Sequence, residues 1–71
     1  MTREDLKKLR EALPKGGREK LAEMHNVSVG HIHQIMTGNR ENEIILLSAV
    51  EMVNEHRRKL KEATQYIQSE L

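Results

Sequence analysis

The stretch from position 18 to position 37, REKLAEMHNVSVGHIHQIMT, decides the fold. Ala22 is a small residue where two helices must cross closely, since a longer side chain there would hold them apart. Asn26 follows four residues later, and a tight turn at that point needs positive φ, which Gly meets best and Asn tolerates. Val27 plugs the turn from inside. Ile32 and Ile35, three apart, give the next helix one apolar stripe that packs back on Leu21 and Ala22. The pattern is that of a helix, a turn and a second helix, with a short polar surface left over on the second.

Outward from this unit the chain reads as helices throughout. Thr2 is an N-cap with Glu4 and Asp5 in the first turn, and Leu6, Leu9 and Leu13 form a stripe, so a first helix covers about 3–13. Pro14 ends it, because the residue before a proline is pushed out of the helical region. Lys15, Gly16 and Gly17 make a turn, and the next helix runs from about 18 to 25. Ser28 caps a third helix over about 29–37, which Gly38 closes in a left-handed conformation. Asn42 caps a fourth, and from there to Leu71 neither Pro nor Gly interrupts, so one long helix is expected.

In residues 44–53 the apolar side chains surround that fourth helix, giving it two faces to bury. One is expected to pack on the first three helices and the other to meet a second subunit, through Ile44, Leu47, Val50, Val53 and Leu60. Leu46, Val50, Val53, Leu60, Ile67 and Leu71 keep 4–3 heptad spacing, interrupted by Arg57 and Thr64. The expected organisation is a helix-turn-helix domain over 1–53 and a helical extension over 54–71, dimerising or frayed.

At 71 residues the chain is one domain near the lower limit for an independent core. It has no Cys, Trp or Phe, and Tyr66 is its only aromatic, so no disulfide or thiolate metal site is available and the core is aliphatic. Such a core supplies on the order of 3–5 kcal/mol at best, which favours a partner subunit. No membrane span or signal peptide is read, and the expected compartment is the cytoplasm. The formal net charge is only +1, but residues 1–40 carry eight Lys or Arg against five acids, and 41–71 carry four against six. A basic front joined to an acidic rear suits a domain that touches phosphate with one end.

Residues 3–53 resemble the DNA-binding domain of the lambda-repressor and Cro superfamily, the XRE family. The string LAEMHNVSVGHIHQIMTGNR carries the likeness: helix, turn, helix, then a short Gly-Asn-basic loop. The resemblance implies an all-α, compact lambda-repressor-like bundle of four helices, with the helix-turn-helix at about 18–37 and the third helix in the major groove. It implies that Ser28, Val29 and Gly30 face base edges, with His33 and Gln34 one turn further along. A carboxamide such as that of Gln34 bonds bidentately to adenine, His33 suits guanine or phosphate, and Val29 suits a thymine methyl. Lys15, Arg18, Thr37, Asn39 and Arg40 are the implied phosphate contacts. Gly30 departs from a good helix former at a cost of roughly 0.5–1 kcal/mol, and a close backbone approach to DNA would account for it. The family's fourth helix is usually short, so the long one here points to an atypical dimer interface.

The expected function is therefore a homodimeric, sequence-specific regulator binding double-stranded DNA, a repressor of phage, plasmid or bacterial origin and nucleoid-associated when bound. Two readings stand beside it. A protein-interaction module on the same scaffold, an adaptor or antirepressor, is favoured by the absence of Lys and Arg from 29–37. A helical oligomerisation unit built on 44–71 is the other. No enzyme is expected: Ser28 has only histidines nearby as a base, and no phosphate-cradling Gly-rich loop or room for a substrate pocket is evident. No small-molecule substrate, cofactor or metal is expected either. His31 and His33 look like a ligand pair, but on a helix i and i+2 diverge.

Overall fold

Thr2 opens the first helix, α1 (Arg3–Ala12), through a reciprocal pair of hydrogen bonds. Asp5 N–H donates to Thr2 Oγ1 and Thr2 N–H donates to Asp5 Oδ2, both at 3.1 Å. These bonds hold the Asp5 carboxyl below its ordinary value of 3.8, so the cap is intact at neutral pH and is lost only as acid protonates it. The computed structural model describes residues 1–70, with side chains through Ser69. Leu13 leaves the helix with φ −60 and ψ 134, the extended geometry imposed by Pro14.

α2 (Gly17–His25) starts behind Gly16, which takes the left-handed conformation with φ 77 and offers no side-chain cap. It ends at Asn26, also left-handed with φ 54 and ψ 47. There Val27 N–H donates to Ala22 O at 3.0 Å and Asn26 N–H to Glu23 O at 3.3 Å. α3 (Val29–Met36) begins on Ser28, whose Oγ accepts from His31 N–H at 3.1 Å. It closes at Gly38, φ 86, with Asn39 N–H donating to Gln34 O at 2.9 Å and Gly38 N–H to Ile35 O at 3.2 Å. Both helices thus end in the same left-handed motif, which supplies partners for carbonyls that a helix end otherwise leaves open.

α4 (Glu43–Glu70) is a single helix of 28 residues, begun by Asn42 Oδ1 accepting from Ile45 N–H at 3.1 Å. It passes through positions 53 and 54 without a break, and Leu71, the last member of the heptad series, lies outside the described residues. Among the described residues the protein is all-α, four helices with no strand. No helix there is long and apolar enough to cross a membrane.

The core gathers one stripe from every helix: Leu9 from α1, Leu21 and Ala22 from α2, Ile32, Ile35 and Met36 from α3, and Ile45, Ala49 and Val53 from α4. Leu21, Ile32, Ile35 and Met36 have essentially no exposure; burying side chains of this size contributes about 1.5–3 kcal/mol each. Val53 corrects an expectation, since it lies inside this core and not on a free face for a second subunit. With a period of 3.6, Ile45, Ala49 and Val53 share one line along α4, so the same geometry that buries Ile45 buries Val53. From Arg57 to Ser69 every α4 residue is exposed.

Two polar contacts tie distant helices together. Arg10 Nη1 donates to Met36 O at 2.6 Å, setting a cation from α1 against the negative end of α3. His25 Nε2 and Ser48 Oγ lie 2.9 Å apart, joining the end of α2 to α4.

The turn at Asn26 makes a direct test. Asn26→Gly keeps the left-handed backbone and is expected to leave stability in urea unchanged or slightly higher. Asn26→Val places a β-branched side chain at positive φ and should lower it by about 1–2 kcal/mol.

Candidate functional site

α3 is held at both ends, by the Ser28 cap at its start and by the Gly38 motif and Arg10 at its finish. Its buried stripe is Ile32, Ile35 and Met36, so the opposite side is free. Gly30, His33, Gln34 and Thr37 fall at i, i+3, i+4 and i+7 and share that outward side. His33 and Gln34 are exposed, and among the described residues their side chains have no hydrogen-bond partner. An imidazole and a carboxamide therefore stand free on a helix capped at both ends, each able to donate and accept at once.

The remaining expected residues of this face are placed differently from one another. Ser28 is exposed, and because its oxygen accepts the capping bond its hydroxyl proton stays free to donate. Val29 is 43% exposed, at the edge of the face beside the buried stripe. Thr37 is half-buried and gives its proton to the helix, donating to His33 O at 2.9 Å or Gln34 O at 3.2 Å. As placed it has no proton for a phosphate, so its hydroxyl serves the helix end instead. Gly30 has open space around it, because a Cβ there would meet only Ser28 Oγ at 3.9 Å. Packing gives no reason for glycine at that position.

The cations divide between two places. Asn39 and Arg40, both exposed, line an open groove with Thr37, Leu6 and Arg3. Arg3 thereby joins Arg40 near the end of α3, a neighbour that spacing along the chain does not reveal, but Glu41 and Glu43 line the same groove and offset the two cations. Lys15 is not in that group; it borders a groove between α2 and α4 with Lys20, Glu51, Glu55 and Lys59. Arg18, in the first turn of α2, is half-buried, and its Nε is shielded from water with no hydrogen-bond partner. An unpaired N–H of this kind costs about 1–3 kcal/mol until an acceptor reaches it. It sits on a helix start that no side chain caps, where backbone N–H groups also favour an anion.

The expected dimer residues also separate. Ile44 is 71% exposed and Leu47 62%, on the outer side of α4, whereas Leu60 is 55% exposed and lies on the core side beyond the body. Val50 is half-buried against the core. Among the described residues no three His, Cys, Asp or Glu side chains are grouped to hold a metal ion. Arg10 and the pair His25 and Ser48 were not singled out by sequence, because the partner of each lies more than twenty residues away.

No family model, no curated protein and no solved structure matches this chain. What α3 offers chemically is therefore argued from its own geometry.

Gly30→Ala tests whether the glycine serves folding. The space around it accepts a methyl group, so the substitution is expected to raise the unfolding free energy by about 0.5–1 kcal/mol in a urea titration. A loss of stability would return Gly30 to a packing role.

Proposed function

We propose that this protein is a sequence-specific DNA-binding regulator of the lambda-repressor and Cro type, a cytoplasmic repressor that acts as a homodimer and reads the major groove with α3. The observation that carries this reading is the outward side of α3, where Gly30, His33 and Gln34 are free and the helix is fixed at both ends. A helix with an exposed polar side suits a groove about 12 Å wide, and Gln34 offers the donor and acceptor pair that adenine presents in reverse. Phosphate contacts belong in this reading to Arg18, Arg40, Asn39 and Lys15, and sequence choice to Ser28, Val29, His33 and Gln34. A glycine with room for a side chain fits a place where backbone and DNA come close.

A second reading has its own support. α3 carries neither Lys nor Arg and the whole chain has a net charge of +1, which also fits a face that binds a protein. The two separate by salt: neutralised phosphates release counterions, so DNA affinity falls steeply as salt rises, while a neutral protein contact changes little.

Selection from a random duplex library at about 150 mM salt, where non-specific contacts are weak, is the direct measurement. An enriched site with two-fold symmetry is expected. Gln34→Ala should then relax the preference at one base pair at a cost of about 1–3 kcal/mol, and Arg18→Ala should weaken all sequences alike. No enrichment by folded protein would favour the protein-binding module.

A further inference from the structure

The buried line of α4 does not stop where the body stops. Ile45, Ala49 and Val53 face the core, and Leu60, Ala63 and Ile67 lie on the same side of the helix about two to four turns further on. Past residue 56 nothing among the described residues covers that side: Leu60 is 55% exposed and Ile67 57%. Next to this arm is an open groove of about 550 Å³ between α1 and α4, where Met1, Ala12 and Val50 give accessible apolar lining, the buried Leu9 and Val53 lie beneath, and Asp5, Lys8 and Arg57 border it. The groove and the arm belong to one seam of one helix. Leu46, Val50, Val53, Arg57, Leu60, Thr64 and Ile67 run in 4–3 spacing along it, hollow in its first half and projecting in its second.

We propose that two copies of this chain pair through antiparallel α4 helices, residues 60–67 of each lying in the groove between α1 and α4 of the other. This rests on the homodimer of the preceding reading and is independent of what α3 binds.

The occupant is a second copy because the two halves of the seam complement each other. A two-fold axis crossing α4 between Arg57 and Leu60 sets Val50 opposite Ile67 of the second copy, and lays its Thr64 over the level of Val53, whose own side chain stays in the core. The same axis fills both grooves at once, as an isologous contact requires. A parallel pairing would put arm on arm and leave both grooves open. Arg57 falls next to the axis, where its aliphatic stem covers Leu60 of the second copy while its guanidinium stays in water. A polar residue at that seam position also fixes the register. The net charge of +1 gives little long-range repulsion between two copies, but Arg57, Arg58 and Lys59 of both gather at the axis, so this register requires their charged heads to turn out into water. In this register the bodies lie about 25 Å apart along the helix axis, with the width of the helix pair added across it.

The experiment uses the full chain, which has no cysteine of its own. Sedimentation equilibrium is expected to show a dimer that Ile67→Glu weakens at least tenfold and Leu47→Glu leaves unchanged. Ile67 is exposed in the monomer, so circular dichroism should show the four helices intact in that variant. The double variant Val50→Cys with Ile67→Cys should form a covalent dimer on oxidation, and Ile67→Cys alone should not. A wild-type monomer at every concentration would remove the homodimer itself and this interface with it. A dimer that resists Ile67→Glu but falls apart with Leu47→Glu would leave the homodimer standing and move its interface to the outer side of α4. Cross-linking by Ile67→Cys alone would overturn the antiparallel register.

Discussion

A single backbone conformation governs the arrangement of the molecule: the left-handed turn at Asn26. It stops α2, lets Ala22 and Glu23 carbonyls find donors in the turn itself, and sends the chain off at the angle from which α3 can lay Ile32, Ile35 and Met36 on Leu21 and Ala22. A right-handed residue in that place would continue α2 as a straight helix. The stripe of α3 would then have no surface to meet, and the core would lose its most deeply buried members. α1 and α4 complete a core whose centre already exists, and the contacts of Arg10 with α3 and of His25 with Ser48 set how they sit against it.

The consequence for the exposed side of α3 is rigidity without much charge. Capping at Ser28, closure at Gly38 and the Arg10 contact leave the helix little freedom, so Gln34 and His33 are presented by a fixed support. Whatever they recognise pays little for ordering the backbone, while immobilising the free Gln34 and His33 side chains still costs about 0.5–1.5 kcal/mol each. Because α3 brings no cation of its own, long-range attraction must come from its surroundings. Those surroundings are mixed in charge: Arg3 and Arg40 share a groove near its end with Glu41 and Glu43, and Lys15, Lys20 and Lys59 share another with Glu51 and Glu55. Arg18 differs from all of these, being half-buried with a shielded Nε that lacks an acceptor.

α4 does two kinds of work along one length. Its first half is a structural wall, burying Ile45, Ala49 and Val53, while residues 57–69 stand clear of the body. A helix greasy on all sides over 44–53 has more apolar surface than a body of three short helices can cover. Ile44 and Leu47 show the excess directly.

Much of the architecture was legible locally. Caps at Thr2, Ser28 and Asn42, the proline stop after Leu13, and left-handed positions at Asn26 and Gly38 each depend on a few adjacent residues, so composition and spacing reveal them. The division of α3 into a buried and a free side followed from its period, for the same reason. Val53 could not be assigned that way, because on a helix apolar all round the period does not say which side meets the body; only the packed position of α1 and α2 settles it. Nor could sequence place Arg3 and Arg40 in one groove, aim Arg10 at the end of α3, or commit the Thr37 hydroxyl to the carbonyls of its own helix. Helix starts, stops and faces are short-range properties that the chain by itself determines. Which face is covered, and which charges become neighbours, depends on residues far apart in sequence meeting in space, and that the tertiary structure alone decided.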